Sequence, residues 1–417
     1  MKKRMLVLAC KVTSHMKKVI STIIVLVISI SFGQSQSVIK KNEIWEDVKS
    51  VILWDSTIPF PKLENIPRIP NIEYSLVHAQ NKSPEWKHLH EPRIAWHKGV
   101  LFVSFSHAGV FEADETQRMN GKRSSDGGRT WSNLETIASG KSGHWRTETA
   151  ALLSAKGKLW GFTGRYGGGK NYGKNSFGME IHQLDRNTDK FTPLSSDVVL
   201  ESFVPFVQPQ RMKNGNWIIG GHINKVQHSA VAISKGNDLT QWHAVKIETP
   251  QPSEFPETSI LTQGKYVVAI IRQAKEPELK EHRLTALAAV SKNSGETFSP
   301  ALSTNLPMIN SKPFSGTLST GQHYVIFSPS EGAWRNTLLI GVTNPGELLP
   351  LRRVWKLIEG TPFELKDQLI SLGQPNETHQ WAYPEAIEIK GTLYVTFSQD
   401  KRNCWIARIP ISELNKK

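Results

Sequence analysis

The sequence predicts an all-β fold, a six- or seven-bladed β-propeller of four-stranded antiparallel blades, and three observations lead there. Helical periodicity is nearly absent. Short alternating apolar runs separated by Gly, Pro, Asn and Asp fill the chain instead, which is the pattern of half-buried strands. One unit of polar residues, apolar strand, tight turn and second strand then recurs along the chain.

The unit first reads HEPRIAWHKGVLFVSFSHAG from His90 and returns as RTETAALLSAKGKLWGFTGRY from Arg146. It recurs as VQPQRMKNGNWIIGGH from Val207 and FPETSILTQGKYVVAIIRQ from Phe255. KPFSGTLSTGQHYVIFSP from Lys312 and AYPEAIEIKGTLYVTFSQDKR from Ala382 complete the series. Equivalent positions Glu91, Glu148, Gln210, Glu257, Gly316 and Glu385 lie 57, 62, 47, 59 and 69 residues apart, one blade per step. That spacing gives six blades. The long last step and the N-terminal segment leave a seventh open. Either VILWDS (51–56) or EYSLVHA (73–79) supplies the outer strand that closes the ring against CWIARIPI (404–411).

A second motif supports the repeat. SSDGGRTW (124–131) fits an Asp-box, SKNSGETF (291–298) is a near match, and SKGNDLTQW (234–242) is a decayed copy. The Asp and Ser/Thr side chains of such a box bond local backbone amides in a hairpin turn, so Asp126 is expected to be structural rather than catalytic.

Residues 1–35 read as a signal peptide and 36–417 as a single propeller domain. The first 15 residues are basic, and Met16 offers a second start. Lys17 and Lys18 precede the apolar run ISTIIVLVISISFG (20–33), and QSQS follows. The run is shorter than the roughly 20 residues a span needs, which favours export to the periplasm or beyond over a membrane anchor. Processing would remove Cys10 and leave Cys404 alone, without an internal disulfide. Residues 1–18 carry six Lys or Arg and no acid, so their loss takes the formal charge from +14 to about +8. No basic run or nucleic-acid motif accompanies that charge, so the expected partner is an anionic oligosaccharide met by a monomer, not nucleic acid. No metal or other cofactor is called for, and a structural Ca²⁺ is left open.

Blade geometry sorts the polar residues. The start of a blade's first strand and the end of its second lie on one face beside the axis, and the box turns lie on the other. The starts bring His88, His90, Glu91, Arg93, Arg146, Glu148, Gln208, Gln210, Arg211, Glu257, Lys312, Tyr383 and Glu385. The ends bring His107, Arg165, Tyr166, His222, Arg272, Asp400, Lys401 and Arg402. Arg at this density suits a carboxylate or sulfate, because its planar fork binds either bidentately. His exchanges protons near neutral pH. Arg and Glu near an axis also pair with each other, so each alone is more readily structural. His97, at a turn with Lys98, reads as a surface residue, and GRYGGGKNYGKN (164–175) as a loop over the channel.

The boxes and the repeat resemble the sialidase-type Asp-box/BNR β-propeller superfamily over residues 45–417. LHEPRI, RSSDGGRTW, SKPFSGTLSTGQ (311–322) and YPEAIEIKGTLYVTFS (383–398) resemble one branch of it. That branch comprises secreted bacterial L-rhamnose-α-1,4-D-glucuronate lyases, a related rhamnosidase, and dehydratases acting on a terminal uronate. The resemblance implies β-elimination at C4 of a uronate, with first-blade histidines and next-blade arginines in the reaction. His90 (or His88), His107, Arg165 and Arg211 match those positions. Eliminating that group requires removal of the C5 proton while a cation neutralises the carboxylate. Arg165 and Arg211, with Arg146 in reserve, are the candidates for the cation. His107 or Tyr166 is the candidate base, and His90 the acid. His222, Arg272, Glu148, Gln210, Tyr383 and Glu385 are further substrate-binding candidates.

The alternative is a glycosidase of the same fold. Sialidases use an Arg triad, an Asp acid/base and a Tyr nucleophile with a Glu partner. Arg93 loosely matches their R-I-P strand, and Tyr383 with Glu385 could imitate the Tyr/Glu pair, but no Asp stands at an early strand end. A non-catalytic glycan-binding propeller is the third reading.

Overall fold

Lys-Gly turns fix the start of three blades. Lys98 and Gly99 (φ +50° and +88°), Lys156 and Gly157 (+53° and +69°), and Lys390 and Gly391 (+49° and +78°) both take positive φ. That is the two-residue turn whose twist matches paired strands. The computed structural model describes residues 51–80, 85–141, 144–167, 177–223, 228–250, 256–273, 284–372 and 379–415. All belong to one unit, Ser50–Lys417. The expected signal peptide and most of the loop at 164–175 lie outside the described residues. Among the described residues, no helix is long and apolar enough to cross a membrane.

The sheets form six blades, not seven. Blade 1 consists of His88–His97, Val100–Ala108, Arg118–Ser124 and Glu135–Ser139. Blade 2 runs through Trp145–Ala155, Lys158–Gly167 and Phe177–Leu184, with Phe191–Pro193 and Leu200–Glu201 both paired to the third strand. Blade 3 has a split inner strand, Phe203–Pro205 and Gln210–Arg211, followed by Trp217–Ile223, His228–Lys235 and Asp238–Lys246. Thr258–Gln263, Tyr266–Ile271, Thr285–Ser291 and Leu302–Pro307 make blade 4. Phe314–Thr317, His323–Phe327, Thr337–Val342 and Arg353–Glu359 make blade 5.

Blade 6 closes the ring. Its inner strands Trp381–Ile389, Thr392–Gln399 and Asn403–Pro410 come from the C-terminus, and its outer strand is Glu73–Ala79. Of the two candidates for that outer strand, EYSLVHA is therefore the one used. VILWDS instead runs along blades 4 and 5, bridging Val51 to Thr304 and Trp54 to Leu351. Asn305 there accepts the backbone N–H groups of Leu53 and Trp54 at 2.9 and 3.0 Å.

The first Asp-box forms the local bonds its composition implies. Asp126 accepts the N–H groups of Arg129 and Thr130, both at 3.0 Å, and the Thr130 hydroxyl at 2.6 Å. These bonds hold its carboxyl well below the usual range. Ser124 takes the Gly128 N–H at 2.8 Å. The turn is also tied to the closing strand, since Arg408 donates to Gly128 O at 3.0 Å and to Ser75 at 2.8 Å. Trp131 packs onto a core shared by blades 1 and 6 that includes Val77, Leu101 and Ile406. In SKNSGETF, Asn293 takes the same part, accepting the Thr297 N–H at 3.0 Å.

Val77, buried in the closing strand, tests the closure. Val77→Asp places an unpaired charge in that core and should destabilise the protein by at least about 3 kcal/mol in urea unfolding. Ile58→Asp, at an exposed site, should stay within about 0.5 kcal/mol. Equal losses from the two would show that the closing strand contributes nothing special.

Candidate active site

Three neighbouring blades carry the same irregularity at the start of their first strand. Register slips between Ala382 and Glu385 in blade 6, between His90 and Arg93 in blade 1, and between Glu148 and Ala150 in blade 2. The bulged residues Tyr383, Glu91 and Thr149 have φ of +57°, +55° and +49°. Such bulges re-aim side chains, and non-glycine residues hold positive φ only where the surrounding structure insists. Glu91, Glu148 and Tyr383 all line a pocket of about 410 Å³ at the axis, within the range of small-molecule sites (roughly 300–1,000 Å³). Every blade contributes to it. Glu112 and Ala113 come from a blade 1 loop, Arg146 and Tyr166 from blade 2, and Phe206 from blade 3. Glu257 and Arg272 belong to blade 4, Arg335 to blade 5, and Lys401 to blade 6.

A triangle of polar groups occupies one side. The Tyr383 hydroxyl donates a short hydrogen bond to Glu257. Arg272 donates to the Tyr383 oxygen at 2.9 Å and to Glu257 at 2.7 Å. Burial, and then the charge of Glu257, push the Tyr383 phenol well above its ordinary value, so it rests protonated. Its deprotonation therefore needs a base in contact, and Glu257 is in contact. Arg272 is placed to stabilise the phenolate. Above them Arg335 faces the Tyr383 ring, 5.6 Å from its centre, and donates to Asn310 O at 2.9 Å. No carboxylate among the described residues forms an ion pair with Arg335. It is the guanidinium free to take an anion.

The opposite wall holds a second pair. Tyr166 and His222 share a 2.8 Å hydrogen bond between hydroxyl and Nε2. Arg146 lies 5.1 Å from the centre of the Tyr166 ring and is paired with Glu148 at 2.6 Å. Burial drives His222 down to about 3 and the Tyr166 phenol well up, so both are neutral at rest.

Of the residues expected at strand starts and ends, the structure thus brings Glu91, Arg146, Glu148, Tyr166, Glu257, Arg272, Tyr383 and Lys401 into the pocket lining, and places the others elsewhere. His107 is fully buried, stacked on Trp86 with ring centres 5.4 Å apart and bonded to Asn120 at 3.1 Å. Burial lowers it to about 2, which leaves no imidazolium near neutral pH. His90 is bonded through Nδ1 to Ser398 at 2.7 Å and packs its ring 4.0 Å from that of Tyr383. His88 is buried edge-on to His90. Arg165 is buried and taken up by Glu180, Ser196 O and the face of Trp145. His222 stands behind the lining, bonded to Tyr166 and packed 5.2 Å from the Phe206 ring, and Gln210 is spent on Ile260 O at 2.8 Å. Glu385 lies under the pocket, paired with fully buried Arg93 at 3.4 Å, so it is not the partner of Tyr383. Arg211 is on the turn side, against exposed Asn237 and the Trp217 ring. His97 sits at a turn as expected but is buried and bonded to Ser154 at 2.8 Å, not on the surface.

Glu112 and Arg335 escaped the sequence reading because both lie in loops between second and third strands, where no repeat marks them. Glu257 was visible at a strand start, but nothing local tied it to Tyr383, 126 residues away. Among the described residues, no group of three or more His, Cys, Asp or Glu is arranged to hold a metal ion.

A family model described as a BNR repeat-like domain matches residues 102–396. No curated protein sequence gives a significant match. Among solved structures, a Dyadobacter fermentans protein of unknown function is similar at TM-score 0.60 and 14% identity, over 82% of this chain and 99% of that one. The Hadza microbial sialidase Hz136 is similar at TM-score 0.61 and 14% identity, over 81% and 68%. Trypanosoma rangeli sialidase, in complex with the inhibitor DANA, is similar at TM-score 0.59 and 15% identity, over 83% of this chain and 61% of that one. At such identities the likeness is one of fold.

The buried imidazoles make stability pH-dependent. Burial lowers His78 to about 4 and His222 to about 3, alongside His107. Unfolded, each would titrate near 6.5, so the unfolded state gains protons first as pH falls. Their stabilising contribution is whole above about 6.5 and shrinks below it, by about 1.4 kcal/mol per pH unit for each. Urea unfolding between pH 6.5 and 5 should show a shallower loss for His78→Phe/His107→Phe than for wild type. Equal slopes would contradict the assignment.

Proposed function

The chain belongs to the BNR repeat-like domain family, and on that premise we propose that it is an exported retaining glycoside hydrolase acting on oligosaccharides that end in a sugar acid. The observation that carries this reading is the triangle of Tyr383, Glu257 and Arg272. A tyrosine with a carboxylate base is the nucleophile pair of sialidase-type hydrolysis, an exception to the usual two carboxylates.

In the first step the Tyr383 oxygen bonds to the anomeric carbon as the glycosidic C–O bond breaks, and the phenol proton passes to Glu257. Glu112, which lines the same pocket, is assigned the protonation of the departing oxygen. In the second, water attacks the anomeric carbon, Glu112 takes its proton, and Tyr383 leaves and recovers its own proton from Glu257. Arg272 stabilises phenolate character in both transition states. Arg335 holds the substrate carboxylate, for which its fork is shaped.

A second reading keeps the uronate lyase branch, and one observation favours it. Tyr166, bonded to neutral His222 and lying under Arg146, is a phenol beside a proton acceptor and a cation, the groups that removal of a C5 proton demands.

Two substitutions separate the readings. Tyr383→Phe should lower kcat for a sialoside or uronide by about 10³-fold or more with the fold intact by circular dichroism. Tyr166→Phe should leave most of the hydrolysis in place. Loss of turnover in Tyr166→Phe alone, with a conjugated alkene appearing in wild-type reactions, would replace hydrolysis by elimination.

A further inference from the structure

Blade 1 has its own counterpart to the bulge that presents Tyr383, and the proposed reaction gives it no task. Glu91 precedes Pro92 as Tyr383 precedes Pro384. Their φ values are nearly the same (+55° against +57°), and both sit where the first strand slips register against the second. A glutamate in the left-handed region is uncommon, and such conformations cluster at ligand sites.

The pocket pairs its other carboxylates. Glu112 meets Lys401, Glu148 meets Arg146, and Glu257 meets Arg272 and Tyr383. Glu91 lines the same pocket without a hydrogen bond or ion pair among the described residues, and its Oε2 is shielded from solvent. The charged groups around it come from every side: Arg93 on its own strand, Glu112 on the loop, Glu148 in blade 2 and Glu257 in blade 4. Lys312 in blade 5 and the phenols of Tyr166 and Tyr383 also feel its charge, and Arg146, Arg272, Arg335 and Lys401 line the same pocket. Burial raises the Glu91 carboxyl to about 8; Arg93 opposes the rise, and the three glutamates add to it.

We propose that Glu91 is a specificity-determining residue, a neutral carboxylic acid that donates a hydrogen bond to an oxygen of the bound sugar acid. The inference rests on the sugar-acid reading above. A carboxylate at this point would repel an anionic ligand, whereas the acid form offers an O–H to it. With Glu91 neutral and Glu112 holding the proton it is to donate, the four cations Arg146, Arg272, Arg335 and Lys401 face the two carboxylates Glu148 and Glu257, which leaves two positive charges for the substrate.

Two measurements test it. The first needs no ligand. An infrared difference spectrum of wild type minus Glu91→Gln at pH 7 should contain the C=O stretch of a protonated carboxylic acid; a carboxylate band in its place overturns the proposal. The second is calorimetric binding of free N-acetylneuraminate and of glucuronate between pH 6 and 9. Wild-type affinity should fall by up to about tenfold per unit above pH 8. Glu91→Gln, which donates but cannot ionise, should lose that dependence, and Glu91→Ala should bind about tenfold more weakly than Glu91→Gln at pH 6. A wild-type pH curve in Glu91→Gln, or equal affinities of the two variants, overturns the proposal. Failure of wild type to bind either acid at any pH would instead count against the sugar-acid reading, with the infrared band still reporting on Glu91.

Discussion

Six inner strands converge on one axis, and the charges they bring there must be neutralised inside the protein, because isolated buried ions are prohibitively costly. Arg93 from blade 1 and Glu385 from blade 6 do this for each other, both fully buried and 3.4 Å apart. Arg93 also donates to Thr149 of blade 2 at 2.8 Å. Lys312 from blade 5 reaches Pro384 O at 3.1 Å, and burial lowers it to about 7. This plug joins four blades and forms the floor on which the pocket stands. Removing one partner would strand a buried charge on the other, so the floor constrains everything above it.

The groups above the floor are organised by what is left over. Tyr383 is fixed from below by its bulge, from one side by Glu257 and Arg272, and from another by the His90 ring. His90 is itself held by Ser398. The histidine at the start of the first strand thus acts as a wall for the phenol rather than as a proton carrier. Its burial keeps it uncharged, which suits a surface packed against an aromatic ring. Only Arg335 and Glu91 of the pocket's charged residues remain without a charged partner among the described residues, and the proposed substrate contacts rest on those two.

The fold was legible because it repeats. Six copies of strand, turn and strand, with Lys-Gly at three turns, carry the signal of a blade, and Asp126 and Asn293 mark outer turns by their local bonding. The choice of closing strand was not legible, since VILWDS and EYSLVHA have similar composition and only edge pairing with Asn403–Pro410 decides between them. For the site, position at a strand end found Glu91, Arg146, Glu148, Tyr166, Glu257, Arg272, Tyr383 and Lys401. It failed for His107 and Arg165 because neighbouring side chains of a strand point to opposite faces, and strand position alone does not say which face meets the pocket. Arg211 failed for another reason. The inner strand of blade 3 begins at Phe203 and breaks before Gln210, so VQPQR belongs to its turn end. Arg335 and Glu112 have no periodic pattern to betray them.

The proposed hydrolysis stands or falls on Tyr383 as the nucleophile. Its most direct test is trapping with a fluorinated sugar-acid glycosyl fluoride, which reacts readily but releases slowly, followed by peptide mass spectrometry. One glycosyl adduct per chain is expected, on Tyr383, with a product released in retained anomeric configuration. An adduct on any other residue, or an inverted product with no adduct, would contradict it.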